Sequence, residues 1–167
     1  SAWRPSPNTE QDARSTRFRP IPTRAVVRLV IFGGTAQLGA QLDRFLRAEG
    51  HHVQEVGRTV PDPALRWDGR TDGLWMDRVD GADAVINLAG RSVNCRYNWA
   101  NLNEMMQSRV DSAEAVGRAI AQAQTPPPVW IQASTASIYA HNLGAAYDEA
   151  TGTIGGKETD VPDYWAY

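Results

Sequence analysis

The patterned part of the chain begins with "AVVRLVIF" (25–32), apolar at seven of eight positions and stopped by paired glycines. A short, β-branched run of this kind predicts a strand buried on both faces, as in a parallel sheet. The period then lengthens. Leu38, Leu42, Phe45 and Leu46 recur at helical spacing, and Gly50 stands where that helix would end. "HHVQEVGR" (51–58) reads as a second strand, "ALRW" (64–67) as a weaker third, and "GADAVINLAG" (81–90) as a fourth. A long helix is expected over about 100–124, with Leu102, Met106, Val110, Ala113, Val116 and Ile120 along one face. Asn101 with Glu104 resembles a capping box at its start, and "TPPP" (125–128) ends it before a fifth strand, "VWIQAS" (129–134). Strands alternating with helices predict an α/β fold, a doubly wound parallel sheet of about five strands.

The flanks lack this pattern. Residues 1–24 carry Arg4, Arg14, Arg17, Arg19 and Arg24 against Glu10 and Asp12, without an apolar period. They read as a basic, extended arm: a solvated tail, a docking segment anchored by Trp3, or the remainder of an organellar targeting sequence. The patterned domain spans 25–140, and 141–167 is loop-like. At 167 residues, 42% hydrophobic and 22% charged, the chain can bury one core. A net charge of −2 argues against nucleic acid or an anionic membrane as main partner. No apolar run approaches the roughly 20 residues of a membrane span, so no transmembrane segment is expected. The single cysteine, Cys95, has no internal partner, which points to a reducing intracellular compartment, cytoplasmic or mitochondrial matrix. His51, His52 and His141 have no metal-ligand spacing with it, so no metal is expected.

The chemistry concentrates in "GGTAQLG" (33–39). Gly33 suits a tight turn at the strand end and Gly39 a close approach of helix to strand. The helix N-terminus then offers free N–H groups and partial positive charge to a pyrophosphate. Ala36 stands where the dinucleotide fingerprint has a second glycine, adding one methyl near the phosphate. At the end of the second strand an NAD site would carry an acid for the ribose 2′-hydroxyl. This chain has Gly57 and Arg58, and an arginine fork pairs with a 2′-phosphate, favouring NADP(H). Asp68, after "LRW", either reaches the adenine amino group or serves a loop turn.

These segments carry a resemblance. "GGTAQLG", "INLAG", "SRVDSAEAV" and "ASTASIY" follow the order and spacing of the extended short-chain dehydrogenase/reductase superfamily. The pattern is similar to its nucleoside-diphosphate-sugar epimerase subfamily, including Arg96 and Trp99 after "VINLAG" and the tail "YDEATGTIGG". The resemblance implies a Rossmann-like fold that binds NADP(H). It assigns Gly33, Thr35, Ala36, Gln37, Leu38 and Gly39 to the phosphate loop and Arg58 to the 2′-phosphate. Leu88, Ala89 and Gly90 fall beside the adenosine ribose and diphosphate. Ala133, Ser134 and Thr135 fall near the nicotinamide, and Tyr139 where the catalytic tyrosine motif would begin.

Two departures qualify what the resemblance implies. In the superfamily a lysine follows the catalytic tyrosine by four residues. Here the fourth residue after Tyr97, Tyr139 and Tyr147 is Asn101, Leu143 and Thr151, and the chain's only lysine is Lys157. An unassisted phenol, with a pKa of about 10, is ionised to roughly one part in a thousand at neutral pH. Thr135 and Ser134 remain candidates to orient a carbonyl. Extended members also carry a C-terminal substrate lobe that this length does not accommodate. The expected partner is a protein segment that supplies or covers that lobe. Two readings follow: an epimerase- or reductase-like NADP(H) domain with weak or no catalysis of its own, or a non-catalytic accessory subunit of a larger assembly, such as an organellar respiratory complex, that retains the nucleotide.

Overall fold

The computed structural model describes residues 25–135, 138–140 and 142–155. The arm at 1–24 with its Trp3, His141, and the segment 156–167 with Lys157 lie outside the described residues. Strands β1 (Arg28–Phe32), β2 (His52–Val56), β3 (Ala84–Asn87) and β4 (Val129–Gln132) form one parallel sheet in the order β2-β1-β3-β4. Helix α1 (Gln37–Ala48) joins β1 to β2, and α2 (Trp99–Gln122) joins β3 to β4. The order reverses beside β1, whose C-terminal end therefore opens on a switch point between β1 and β3.

Alternation along β1 divides the core into two layers. Leu29 and Ile31 pack with Val53, Ile86 and the α1 residues Leu42 and Leu46. Val30 and Phe32 point the other way, into Val56, Val85 and the α2 residues Ala115, Val116 and Ala119. Trp67 and Trp75 close this second layer, each with its ring centroid 5.1 Å from that of Phe32 in an edge-on arrangement. Both indole N–H groups donate to the Thr71 carbonyl, at 3.0 and 3.2 Å. Helices on both faces make the fold α/β and doubly wound, as expected.

Three expectations are corrected. "ALRW" does not form a ladder strand, so among the described residues the sheet has four strands instead of about five. Pro63–Leu65 is a 3-10 turn, capped by the Asp62 carboxylate accepting from the Ala64 N–H at 2.9 Å. Only one parallel bridge, Gly57 to Arg66, marks the place of the missing strand. The capping box does not form either. Asn98 caps α2 by accepting from the Asn101 N–H at 2.9 Å, while Glu104 pairs with the Arg91 guanidinium. Finally, the buried stripe of α2 is Ser112, Ala115, Val116 and Ala119, whereas Met106 and Val110 are exposed. Small side chains let the helix approach the sheet, and the longer Met106 and Val110, in its N-terminal half, lie outside the buried stripe.

Candidate functional site

The turn after β1 is built by close backbone packing. Gly33 has φ +77°, its N–H donates to the Val56 carbonyl at 2.9 Å, and its carbonyl accepts from the Ala36 N–H at 3.1 Å. A Cβ at Gly33 would lie 3.0 Å from the Ala89 nitrogen, so glycine is required here for conformation and for space. Gly39 is more crowded: a Cβ there would fall 2.5 Å from Gly34 Cα and 2.6 Å from the Gly34 oxygen. Gly39 thus packs α1 directly onto the backbone of the turn that follows β1.

Ala36 is the N-cap of α1, extended at φ −81° and exposed, a conformation open to any L-residue. The methyl therefore costs the turn nothing. No side chain caps α1 and no acid stands in its first turn. The N–H groups of Gln37, Leu38 and Gly39 are left without intrahelical acceptors, with the helix dipole behind them. Thr35 lies across from Gly57, where a Cβ would be 3.4 Å from the Thr35 hydroxyl oxygen. Arg58 follows Gly57 at the end of β2, with its side chain exposed.

The facing wall is the end of β3. Leu88 N–H donates to the Phe32 carbonyl at 2.9 Å, which draws Leu88 and Ala89 against Gly33. A buried polar network holds this wall. Asn87 Nδ2 donates to Gln132 Oε1 at 2.9 Å and to Ser112 Oγ at 3.3 Å, while its Oδ1 accepts from the Ala89 N–H at 3.0 Å. Asn87 and Ser112 are fully buried, so their mutual satisfaction fixes β3, α2 and β4 to one another. Ala133 N–H donates to the Asn87 carbonyl at 2.9 Å, bringing Ala133 and then Ser134 and Thr135 to the same end of the sheet. Gly90 lies under the Arg109 side chain, where a Cβ would be 3.4 Å from the guanidinium carbon.

Sequence reasoning missed Asn87, Ser112 and Arg109 as site residues. A polar residue closing the apolar run "AVIN" was the available signal for Asn87, and "SRV" for Arg109.

Two candidates are held by local contacts. Asp68 Oδ1 accepts from the Arg70 N–H, the Thr71 N–H and the Thr71 hydroxyl, at 2.9, 2.9 and 3.0 Å. Burial acts to raise its pKa, but these hydrogen bonds outweigh burial and hold the carboxyl below its ordinary value. Of the two roles open to it, the loop turn is the one displayed. Tyr139 bridges to Ile154, packs its ring at 5.9 Å from that of Tyr147, and abuts Gly152. The described residues contain no lysine to assist it, and Leu143, four residues on, is exposed.

Glu55 stands behind the turn. Its side chain lies against Gly34, whose Cβ, if present, would be 2.9 Å from Glu55 Cγ. Burial, followed by repulsion from Asp43, raises its pKa above the ordinary value, and Arg47 partly offsets both. Among the described residues no group of His, Cys, Asp and Glu could hold a metal ion, and no helix is long and apolar enough to cross a membrane.

Comparison with known proteins agrees with this geometry. The model of the NAD dependent epimerase/dehydratase family matches residues 29–159. The epimerase family protein SDR39U1 of Bos taurus is 34% identical over 126 residues, 74% of this chain and 42% of its own length. Human SDR39U1 (isoform2), crystallised with NADPH, superposes with a TM-score of 0.63 at 30% identity, over 83% of this chain and 45% of that one. The nucleoside-diphosphate sugar epimerase from Corynebacterium glutamicum shares the fold, with a TM-score of 0.60 at 24% identity, over 85% of this chain and 28% of that one. The chain spans less than half the length of these relatives. It belongs to the NAD dependent epimerase/dehydratase family.

Proposed function

We propose that this chain is an NADP(H)-binding domain whose glycine turn receives the cofactor's diphosphate. The observation that carries the reading is the uncapped, acid-free N-terminus of α1 over the turn 33–36, with Arg58 exposed at the adjacent strand end. In this reading Gln37, Leu38 and Gly39 donate backbone N–H groups to phosphate oxygens, and Arg58 takes the 2′-phosphate. Leu88, Ala89 and Gly90 border the ribose and diphosphate, while Ala133, Ser134 and Thr135 lie toward the nicotinamide. A nicotinamide cofactor, when bound, supplies hydride transfer, and the protein supplies orientation. Support for NADPH over NADH comes from Arg58 and from the NADPH in the human relative's crystal structure.

The domain at 25–140 would have little catalysis of its own, since Tyr139 has no lysine beside it among the described residues. Val129, Trp130 and Ile131 of β4 are 43–51% exposed. In the whole assembly a further segment, from the same or a second polypeptide, covers this edge and supplies the substrate side.

Calorimetric titration of the full chain tests the nucleotide reading. NADPH is expected to bind more tightly than NADH, and Arg58→Gln to lose about tenfold in NADPH affinity, or about 1.4 kcal/mol, with NADH unchanged. Absence of NADPH binding at millimolar concentration overturns it.

A further inference from the structure

The opposite end of the sheet holds a second basic recess. At the N-terminal ends of β1 and β2 lies an open cleft of about 340 Å³, bordered by Arg28, Arg47, His52, Gln54, Arg78 and Ala82. Arg28 and His52 are paired in register, so their side chains leave neighbouring strands on the same face, with Gln54 two residues further along β2. Arg78 comes from the 3-10 segment Leu74–Arg78 beneath that face.

The three arginines differ in how the protein holds them. Arg28 Nη1 donates to the Gly81 carbonyl at 3.0 Å. Arg47 Nε pairs with Asp43 at 2.7 Å, and its Nη2 donates to the Val53 carbonyl. Arg78 Nε is buried and has no hydrogen-bond partner among the described residues. Two carboxylates near the cleft are engaged elsewhere: Asp43 by Arg47, and Asp83 by the Arg28 backbone N–H at 2.7 Å. Arg78 lines the cleft, and the planar fork of arginine is matched by an oxyanion.

We propose that this cleft binds the phosphoryl group of a small phosphomonoester, with Arg78 as its fork and Arg28 and His52 as flanking donors. Its volume falls at the lower end of small-molecule pockets and does not suit a dinucleotide. It lies at the N-terminal strand ends, whereas the glycine turn lies at the C-terminal ends, so this site is independent of the nucleotide reading.

The test is an amide-resolved NMR titration of the full, isotope-labelled chain with inorganic phosphate and with glycerol 3-phosphate, at constant ionic strength. Saturable shifts are expected at Gly81 and Ala82, with glycerol 3-phosphate binding at least as tightly as phosphate. Arg78→Gln is expected to weaken both by tenfold or more, and Arg78→Lys to restore part of the loss. An unchanged thermal unfolding midpoint in Arg78→Gln would confirm that the fold is intact. His52→Gln, at an exposed position, is expected to weaken binding several-fold and serves if Arg78→Gln does not fold. Shifts confined to residues 33–39, shifts reproduced by chloride, or unchanged affinity in both variants would overturn the proposal.

Discussion

Ile31, Ile86 and Ile131 stand in one row across the sheet, paired in register through β1, β3 and β4. Their exposures are 0%, 6% and 51%. The residue type, the secondary structure and the face are the same, yet the surroundings are opposite. Helix α1 covers β1 and β2, so Ile31 is enclosed by Leu42 and Leu46, while no described element covers β4 on that side. Burial in this fold is decided by helix coverage, which the strand sequence does not encode. The β1 side is a finished core carrying the glycine turn. The β4 side is uncovered among the described residues.

The largest expected effects break or uphold that contrast directly. Ile31→Ala should cost about 2–5 kcal/mol in urea unfolding, as for fully enclosed aliphatic residues. Ile131→Ala should cost about 0.5 kcal/mol or less, as for a surface position. Equal losses would mean that β4 is covered in solution. Glycine substitutions repeat the comparison with backbone crowding in place of burial. Gly39→Ala places a methyl 2.5 Å from the Gly34 backbone, which cannot swing aside, and should cost about 1–3 kcal/mol together with nucleotide affinity. Gly117→Ala, within α2, meets only the Trp130 ring at 3.6 Å and should stabilise by up to about 1 kcal/mol. Thermal unfolding of the pair checks this, and a destabilised Gly117→Ala would reveal packing on the β4 side that the exposures do not.

What the sequence revealed follows the same boundary. "AVVRLVIF", "GGTAQLG" and "INLAG" were legible because each states its environment locally: a run buried on both faces, glycines where backbones touch, a strand closed by a turn. The third strand was misread because Trp67 supplies apolar weight that packs on Phe32 instead of extending a ladder. The α2 stripe departs from its sequence pattern because Met106 and Val110 are periodic and apolar, yet burial begins only at Ser112 and Ala115. Asn87 and Ser112 went unseen because their roles are tertiary. Asn87 is visible in sequence only as a polar end to an apolar run, and what it and Ser112 bond to is set only when β3, α2 and β4 meet.

A smaller effect separates the two walls of the crevice. If Arg58 reads the 2′-phosphate, its removal should discriminate between NADPH and NADH. Arg109, lying over Gly90 on the opposite wall, would meet only the parts both nucleotides share. Arg109→Gln is therefore expected to weaken NADPH and NADH alike by about threefold, within the range of one exposed charge-assisted contact. A loss confined to NADPH would move Arg109 to the 2′-phosphate and remove that role from Arg58.

The finished side also contains a liability of its own. Glu55 is half-buried beside Gly34, and burial, then Asp43, raises its pKa in the folded state above the unfolded value of about 4.5. Between those two values the folded state binds more protons than the unfolded one, so this group's contribution to stability falls as pH rises through that window. Above the folded pKa the penalty for an ionised carboxylate is fully present, and below the unfolded pKa it is absent. Glu55→Gln should therefore raise the unfolding midpoint modestly at pH 7 and leave it nearly unchanged at pH 4. Unfolding curves of the two proteins across that range should diverge only as pH rises. Divergence in the opposite direction would mean that Arg47, not burial, governs this carboxylate.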